Sequence, residues 1–355
     1  MTPLGERIRR LIAAAGPISV ADYMAACLFD PQHGYYTTRE PFGREGDFVT
    51  APEISQMFGE LVAVWIVQAW QSGGMPMPAT VAEIGPGRGT LMKDVIRTIR
   101  RLAPDLASRA DFALIETSPR LIAAQKEALR DAGPALAWHS EVETLPAQPL
   151  FVVGNEIFDA LPFRQFVRTD EGWLERAVGT DEKGNFRFAT GTGALPHHVL
   201  PPEVRDAGIG SIFEIAPARE ALMSAIAERV ASRGGAGIFF DYGHLAPSAG
   251  DTFQAVRRHR SEDVFASPGE ADLTSHVDFS ALAHIARTHG LEARMTTQGE
   301  FLLGMGLLER AGKLGQAAGD DMRRKIAADV ERLAGPDQMG DLFKVITILP
   351  ARTDR

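Results

Sequence analysis

The sequence predicts an α/β fold in which a parallel sheet is covered by helices, preceded by a helical region and interrupted by an antiparallel β insertion. Three observations carry this. Short apolar runs at 80–85, 112–116, 136–139, 150–156, 235–243 and 342–349 alternate with helical patterns at 90–102, 119–131, 217–233 and 278–289. Such alternation implies parallel strands with both faces covered. The first run passes into the first of these helices through a glycine-rich loop, EIGPGRGT. Residues 163–191 change texture, with apolar and polar residues alternating around DEG and DEKGN turns, which reads as antiparallel hairpins.

Taken in order, residues 4–15 and 19–28 read as two short helices, broken at Pro17, with Ser19 as the N-cap of the second. The amphipathic, arginine-containing start could pass for a transit peptide, but Glu6 and the run into GPISVADYM favour a first helix. Residues 29–53 are rich in Gly, Pro and aromatics and have no periodicity. A connection that long favours a functional loop. At its end Thr50 can cap, and Pro52 with Glu53 suits a first helical turn. Two readings stand at similar weight: a simple helix start, or a lid at 43–53 over one end of a ligand. Residues 54–70 form a helix with Ile54, Phe58, Leu61, Val62, Trp65, Ile66 and Ala69 at helical spacing. A linker, SGGMPMP, then separates a region 1–74 from a catalytic region 75–355. The latter carries the β-rich insertion at about 163–213 and a second insertion at 244–277, expected to be loops.

Composition narrows the function. A hydrophobic fraction of 45% over 355 residues supports a sizeable core. A net charge of −9 disfavours nucleic-acid binding, and the basic clusters RRHR at 257–260 and MRRK at 322–325 read as solvated faces. The single cysteine, Cys27, excludes an intrachain disulfide and suits a reducing, cytoplasmic setting. No run of 18 apolar residues occurs, so no membrane span is expected.

The glycine loop carries the first chemistry. Gly85, Gly87 and Gly89 are spaced G-x-G-x-G, presenting backbone N–H groups and the positive end of a helix dipole at one point. Glu83 sits two places before the first glycine. A carboxylate there would repel the pyrophosphate of NAD and suits a ligand with an ammonium and a sulfonium, S-adenosylmethionine. A P-loop is excluded, because no Gly-Lys-Ser/Thr follows. Glu116 ends the second strand, where an acid can hydrogen-bond both ribose hydroxyls.

Ligands of open α/β sheets lie at the carboxyl ends of the strands. Three polar segments follow predicted strands or precede a later helix: Asn155-Glu156 through Asp159, Asp241 through His244, and Asp272 through Asp278. Methyl transfer needs alignment and a nucleophile. A nitrogen that starts cationic needs more. Arginine, with a pKa above ~12, requires an acidic pocket that holds it and accepts a proton. Glu156 and Asp159 lead as catalytic candidates, with Asp241 and His244 behind them. Asn155 joins Thr50, Pro52 and Glu53 in the candidate cofactor set. The plainer alternative is that these acids cap helices and brace the β insertion. A metal site from Asp241, His244, His276 and Asp278 has neither an H-x-x-x-H spacing nor a cysteine pair behind it, and no metal is expected.

The chain resembles the MidA family, whose mitochondrial members are complex I assembly-factor arginine methyltransferases. The resemblance rests on GPISVADYMAACLFDPQHGYY, GDFVTAPEISQMFGE, EIGPGRGTLMKD, IETSPRL, GNEIFDALP, FFDYGH, DLTSHVDF, TQGEFLLGMGL and GDLFKVITI, which span residues 16–348. It implies a seven-strand, Rossmann-like S-adenosylmethionine-dependent methyltransferase. Gly85, Gly87 and Gly89 match the cofactor loop, and Glu116 matches the ribose acid. It further implies a protein substrate, with symmetric dimethylation of an arginine in the NADH dehydrogenase core subunit that lines the quinone site. The setting would be cytoplasmic in a bacterium and the mitochondrial matrix in eukaryotic relatives. Two other functions compete: a small-molecule methyltransferase, favoured by a closed pocket, and a non-catalytic cofactor-binding assembly chaperone.

Overall fold

A computed structural model describes residues 2–38, 50–316 and 318–351. The chain divides into two compact units that do not follow chain order. The larger comprises residues 49–157, 222–245 and 279–355, and the other comprises 1–48, 158–221 and 246–278.

The larger unit is built on a mixed sheet. Seven of its strands are β1 (Thr80–Ile84), β2 (Asp111–Ile115), β3 (Leu136–His139), β4 (Leu150–Asn155), β5 (Gly235–His244), β6 (Leu291–Thr297) and β7 (Phe343–Pro350). They run in the order β6-β7-β5-β4-β1-β2-β3. The parallel sheet expected from strand-helix alternation is present in five of these strands. β3, β2, β1, β4 and β5 are mutually parallel, but β7 lies antiparallel to both β5 and β6. β6 was absent from the predicted strands. Its sequence, LEARMTT, is half polar and only Leu291 and Ala293 are buried, so its pairing with β7 makes it a strand rather than an apolar run of its own.

β1 is buried at every position. A strand covered on both faces has no polar side to show, which explains Val81, Ala82 and Ile84 and makes the buried Glu83 the exception. The helix Thr90–Leu102 buries Leu91, Met92, Val95, Ile96 and Ile99 at helical spacing. Each such side chain contributes roughly 1.5–3 kcal/mol when taken fully out of water. The expected helix 54–70 is Gln56–Ser72, and Ile54 ends a separate short helix, Ala51–Ile54. Ser55 breaks them with φ −155° and ψ 138° and caps the second through Met57 N–H. Thr50 stands at the N-cap of the short helix but its side chain makes no capping bond, contrary to expectation.

The other unit contains the amino-terminal helices Pro3–Ala15 and Val20–Phe29 and two antiparallel sheets. Strands Ile18–Ser19, Arg164–Thr169, Gly172–Thr180, Phe186–Leu195 and Ile212–Ile215 form the first; the alternating pattern predicts the middle three, and the outer two join by pairing with them. Residues 244–277 were expected to be loops. They instead hold a three-stranded antiparallel sheet of Gln254–Arg257, Arg260–Glu262 and Asp272–Thr274. The strands are too short to announce themselves by periodicity. The tip carries Arg258 and His259 at φ 51° and 60° in place of the usual glycine or asparagine. Among the described residues no helix is long and apolar enough to cross a membrane.

Candidate functional site

The strand order of the larger unit reverses between β1 and β4. Carboxyl ends at such a reversal are where open α/β sheets take ligands, because the connections diverge there and leave a crevice. Glu83 pairs with Val153 and Ile84 with Gly154. The glycine loop after β1 and the Asn155-Glu156 segment therefore leave adjacent strands at the same level.

All three loop glycines have left-handed backbone, with φ 61° at Gly85, 51° at Gly87 and 83° at Gly89. Gly89 is the N-cap of helix Thr90–Leu102, so the loop delivers the chain to a helix start. A Cβ at Gly85 would lie 2.9 Å from Ile157 Cγ2, so the loop also packs against the segment after β4. Thr90 Oγ1 donates to Glu53 Oε1 at 2.6 Å, tying the short helix Ala51–Ile54 to the loop's end. Pro52 is buried in that helix. Of the candidate lid, residues 43–49 lie outside the described residues. The described remainder forms this helix start.

Glu83 lies within β1 and is 2% exposed. Burial pushes its carboxyl up to about 8, although the Met92 backbone N–H bonds it and pulls the other way. Its Oε2 has no hydrogen-bond partner among the described residues, and neither does Asn155 Oδ1 at the end of β4. Two buried acceptors left open on adjacent strands fit a ligand that brings donors and positive charge, as the ammonium of S-adenosylmethionine does.

Glu116 directly follows β2 and is half-buried. Its Oε1 accepts from Thr117 and Ser118 N–H, both at 2.8 Å. Gln125 reaches it from helix Pro119–Ala128, placing Nε2 3.3 Å from Glu116 Oε2 and 2.9 Å from the Gly87 carbonyl. Gln125, Trp138, Thr90 and Ile157 were not singled out from sequence. The available signal for Gln125 was its place one helical turn after Leu121, a polar residue on the buried stripe of an amphipathic helix.

At the other end of the crevice Glu156 has φ 54°, uncommon for a residue with a Cβ. Its N–H donates to the Phe240 carbonyl at 2.8 Å, and Asn155 Nδ2 donates to its Oε1 at 3.0 Å. Asn155 pairs with Phe240, so Glu156 and Asp241 are level on neighbouring strands. Asp241 is fully buried, and its Oδ1 accepts from Tyr242 N–H at 3.0 Å. His244 ends β5.

Asp159 and the segment 272–278 belong to the other unit. There the Asp159 carbonyl accepts from Arg219 Nη2 at 3.1 Å and from Ser275 N–H at 3.2 Å, while its Oδ1 accepts from Ala160 N–H at 2.9 Å. Asp272 accepts from the Tyr36 hydroxyl at 3.0 Å. Bracing of the chain by Asp159 is thus visible in its backbone bonds. Among the described residues no group of three or more His, Cys, Asp or Glu side chains could hold a metal.

Residues 61–297 match the family described as "Putative S-adenosyl-L-methionine-dependent methyltransferase". The chain is similar to the mitochondrial protein arginine methyltransferase NDUFAF7 homolog of Drosophila melanogaster, at 35% identity over 98% of this chain and 85% of that one. It is also similar to the human mitochondrial protein arginine methyltransferase NDUFAF7, at 32% identity over 99% and 84%. A crystal structure from Burkholderia thailandensis with S-adenosyl-homocysteine bound superposes with a TM-score of 0.85 at 30% identity, covering 98% of this chain and 91% of the other.

Proposed function

Because the chain belongs to this S-adenosyl-L-methionine-dependent methyltransferase family, we propose that it methylates an arginine of a protein substrate. The observation that carries the reading is the near-full-length likeness to protein arginine methyltransferases, 35% identity across 98% of this chain. The site supports it through Glu156, a carboxylate kept in an unfavourable backbone conformation at the reversal of the strand order.

S-adenosylmethionine supplies an electrophilic methyl group when bound. The loop glycines Gly85, Gly87 and Gly89 would bring backbone N–H groups against it, with Glu83 and Asn155 toward its ammonium. Glu116 would take the ribose hydroxyls, and Thr50, Pro52 and Glu53 would border the methionine end. Glu156 would hold the guanidinium by charge and aligned hydrogen bonds. It would then accept a proton at a carboxylate oxygen as the nitrogen gains its substituent. Asp241, level with Glu156 on the neighbouring strand, would add to the polar set there, with His244 at the strand end. Asp159 would brace the chain within its own unit, through its bonds to Arg219 and Ser275.

The finer part of the reading rests on the motif resemblance. The target arginine would lie in a core subunit of NADH dehydrogenase, methylation would accompany assembly of that complex, and the setting would be the cytoplasm. Incubating the purified protein with isotopically labelled S-adenosylmethionine and a cell lysate tests it. The expected result is a dimethylarginine peptide identified by mass spectrometry. Label found only in small molecules would overturn it.

A further inference from the structure

Gln125 is wholly buried on helix Pro119–Ala128, and every polar atom of its amide is engaged. Trp138 Nε1 donates to Gln125 Oε1 at 2.9 Å. Gln125 Nε2 donates to the Gly87 carbonyl at 2.9 Å and to Glu116 Oε2 at 3.3 Å. An indole N–H is a donor only, and carbonyl and carboxylate oxygens are acceptors only. The amide therefore has one workable orientation. Flipping it would set N–H against N–H at Trp138 and oxygen against oxygen at both other contacts.

We propose that Gln125, held by Trp138, is a positioning residue that locks the middle glycine of the loop to the ribose acid, so that the site selects a ribose over a deoxyribose. This rests on the reading of Glu116 as the acid that meets the ribose hydroxyls. The carboxylate has two oxygens with different duties. Oε1 is occupied by the Thr117 and Ser118 N–H groups, which fix its distance from the backbone. Those two bonds leave rotation about the side chain to be set at Oε2, where Gln125 is its side-chain donor among the described residues. The same nitrogen pins the carbonyl of Gly87, a glycine at left-handed φ of 51° with no side chain of its own to anchor it. One buried amide thus couples the loop after β1, the acid after β2 and the indole on β3. The Trp138 ring is itself packed by Lys126 Nζ, 5.2 Å from its centre.

The test is calorimetric binding of S-adenosyl-homocysteine and its 2′-deoxyribose analogue to the full-length protein. Wild type should prefer the ribose form by about 10- to 100-fold, the range of one hydrogen bond to a carboxylate. Gln125→Leu keeps the bulk and removes both donors. It should shrink that preference to about threefold or less while weakening the ribose ligand by about tenfold. A purely structural role would weaken both ligands alike and leave the ratio unchanged, which would overturn the proposal. Trp138→Phe removes only the anchor of the amide and should give an intermediate ratio. If Gln125→Leu fails to fold by thermal unfolding, Trp138→Phe decides alone: a reduced ratio supports the lock and an unchanged ratio overturns it. Wild type binding both ligands equally would sink the ribose reading of Glu116, and the lock with it. A wild-type preference that survives in Gln125→Leu sinks the lock only.

Discussion

The two sides of the strand reversal use the same backbone conformation with opposite residue choices. After β1, left-handed φ values of 61°, 51° and 83° all fall on glycines. After β4, a φ of 54° falls on Glu156. Glycine reaches this region without steric cost, whereas a residue with a Cβ loses about 1 kcal/mol or more. Where the backbone itself meets the ligand, the side chain is dispensable and is deleted. Where a carboxylate is needed at a fixed point, the conformational cost is tolerated. On the proposed reading the left-handed positions report which part of each residue acts, and Ile157 against Gly85 makes the two sides one packed body.

The largest expected effect would break the glycine side. Gly87→Val places a branched side chain at left-handed φ where the ligand approaches, and S-adenosyl-homocysteine binding should fall by about 10³-fold or more, a loss of about 4 kcal/mol. Retained binding in calorimetry would mean that the backbone there is not a contact surface.

Next comes the carboxylate side. Glu156→Gln keeps the shape and removes the charge, so methyl transfer should drop by roughly 10²-fold or more while S-adenosyl-homocysteine affinity stays close to wild type. Glu156→Gly sharpens the contrast. It removes the strain, so its thermal midpoint should be at or above that of wild type even as turnover is lost. A marked loss of stability in that variant would make Glu156 structural and turn attention to Asp241 and His244.

A smaller effect concerns Glu83. Its folded-state pKa is raised to about 8 from 4.5 by burial, so the native protein binds more protons than the unfolded chain between those values. Stability from this group is present below the lower value and is lost as pH rises toward the upper one. A ligand ammonium favours the carboxylate form, so binding should release a proton. Affinity should then rise with pH between 6 and 8 by up to about tenfold per unit. Glu83→Gln should flatten that dependence, bind more weakly, and leave the ligand-free protein more stable than wild type at pH 8. A pH-independent affinity in wild type would separate Glu83 from the ligand.

The smallest concerns the strut beneath the loop. Glu53→Ala removes the 2.6 Å bond from Thr90 at the start of the helix and should weaken S-adenosyl-homocysteine binding about three- to tenfold. No change in the titration would leave the helix Ala51–Ile54 as a plain chain start.

Local chemistry is legible in sequence where one short segment carries the whole signal. The glycine loop, the acids at the ends of β1 and β2, and helices Thr90–Leu102 and Pro217–Arg233 depend on neighbours within a few residues, and their bounds read off the chain. The motifs also placed the chain in its family, because their order along 16–348 is itself information. Direction and partnership in space were decided by tertiary structure. The antiparallel entry of β7 between β5 and β6 is set by its pairing with both, and no residue of LFKVITIL encodes it. β6 became a strand through pairing at a half-exposed position, and the short strands after residue 253 formed around a hairpin without a glycine signal. That the amino-terminal helices share a unit with both insertions depends on contacts across more than 200 positions, such as Tyr23 Oη donating to the Val264 carbonyl at 2.8 Å. Gln125 reads as an ordinary helical glutamine until folding sets Gly87, Glu116 and Trp138 around its amide. Periodicity and turn chemistry act within a few residues, so the sequence determines them alone. A hydrogen bond between groups 38 positions apart, as from the Gln125 amide to the Gly87 carbonyl, exists only once the sheet has brought its strand ends together.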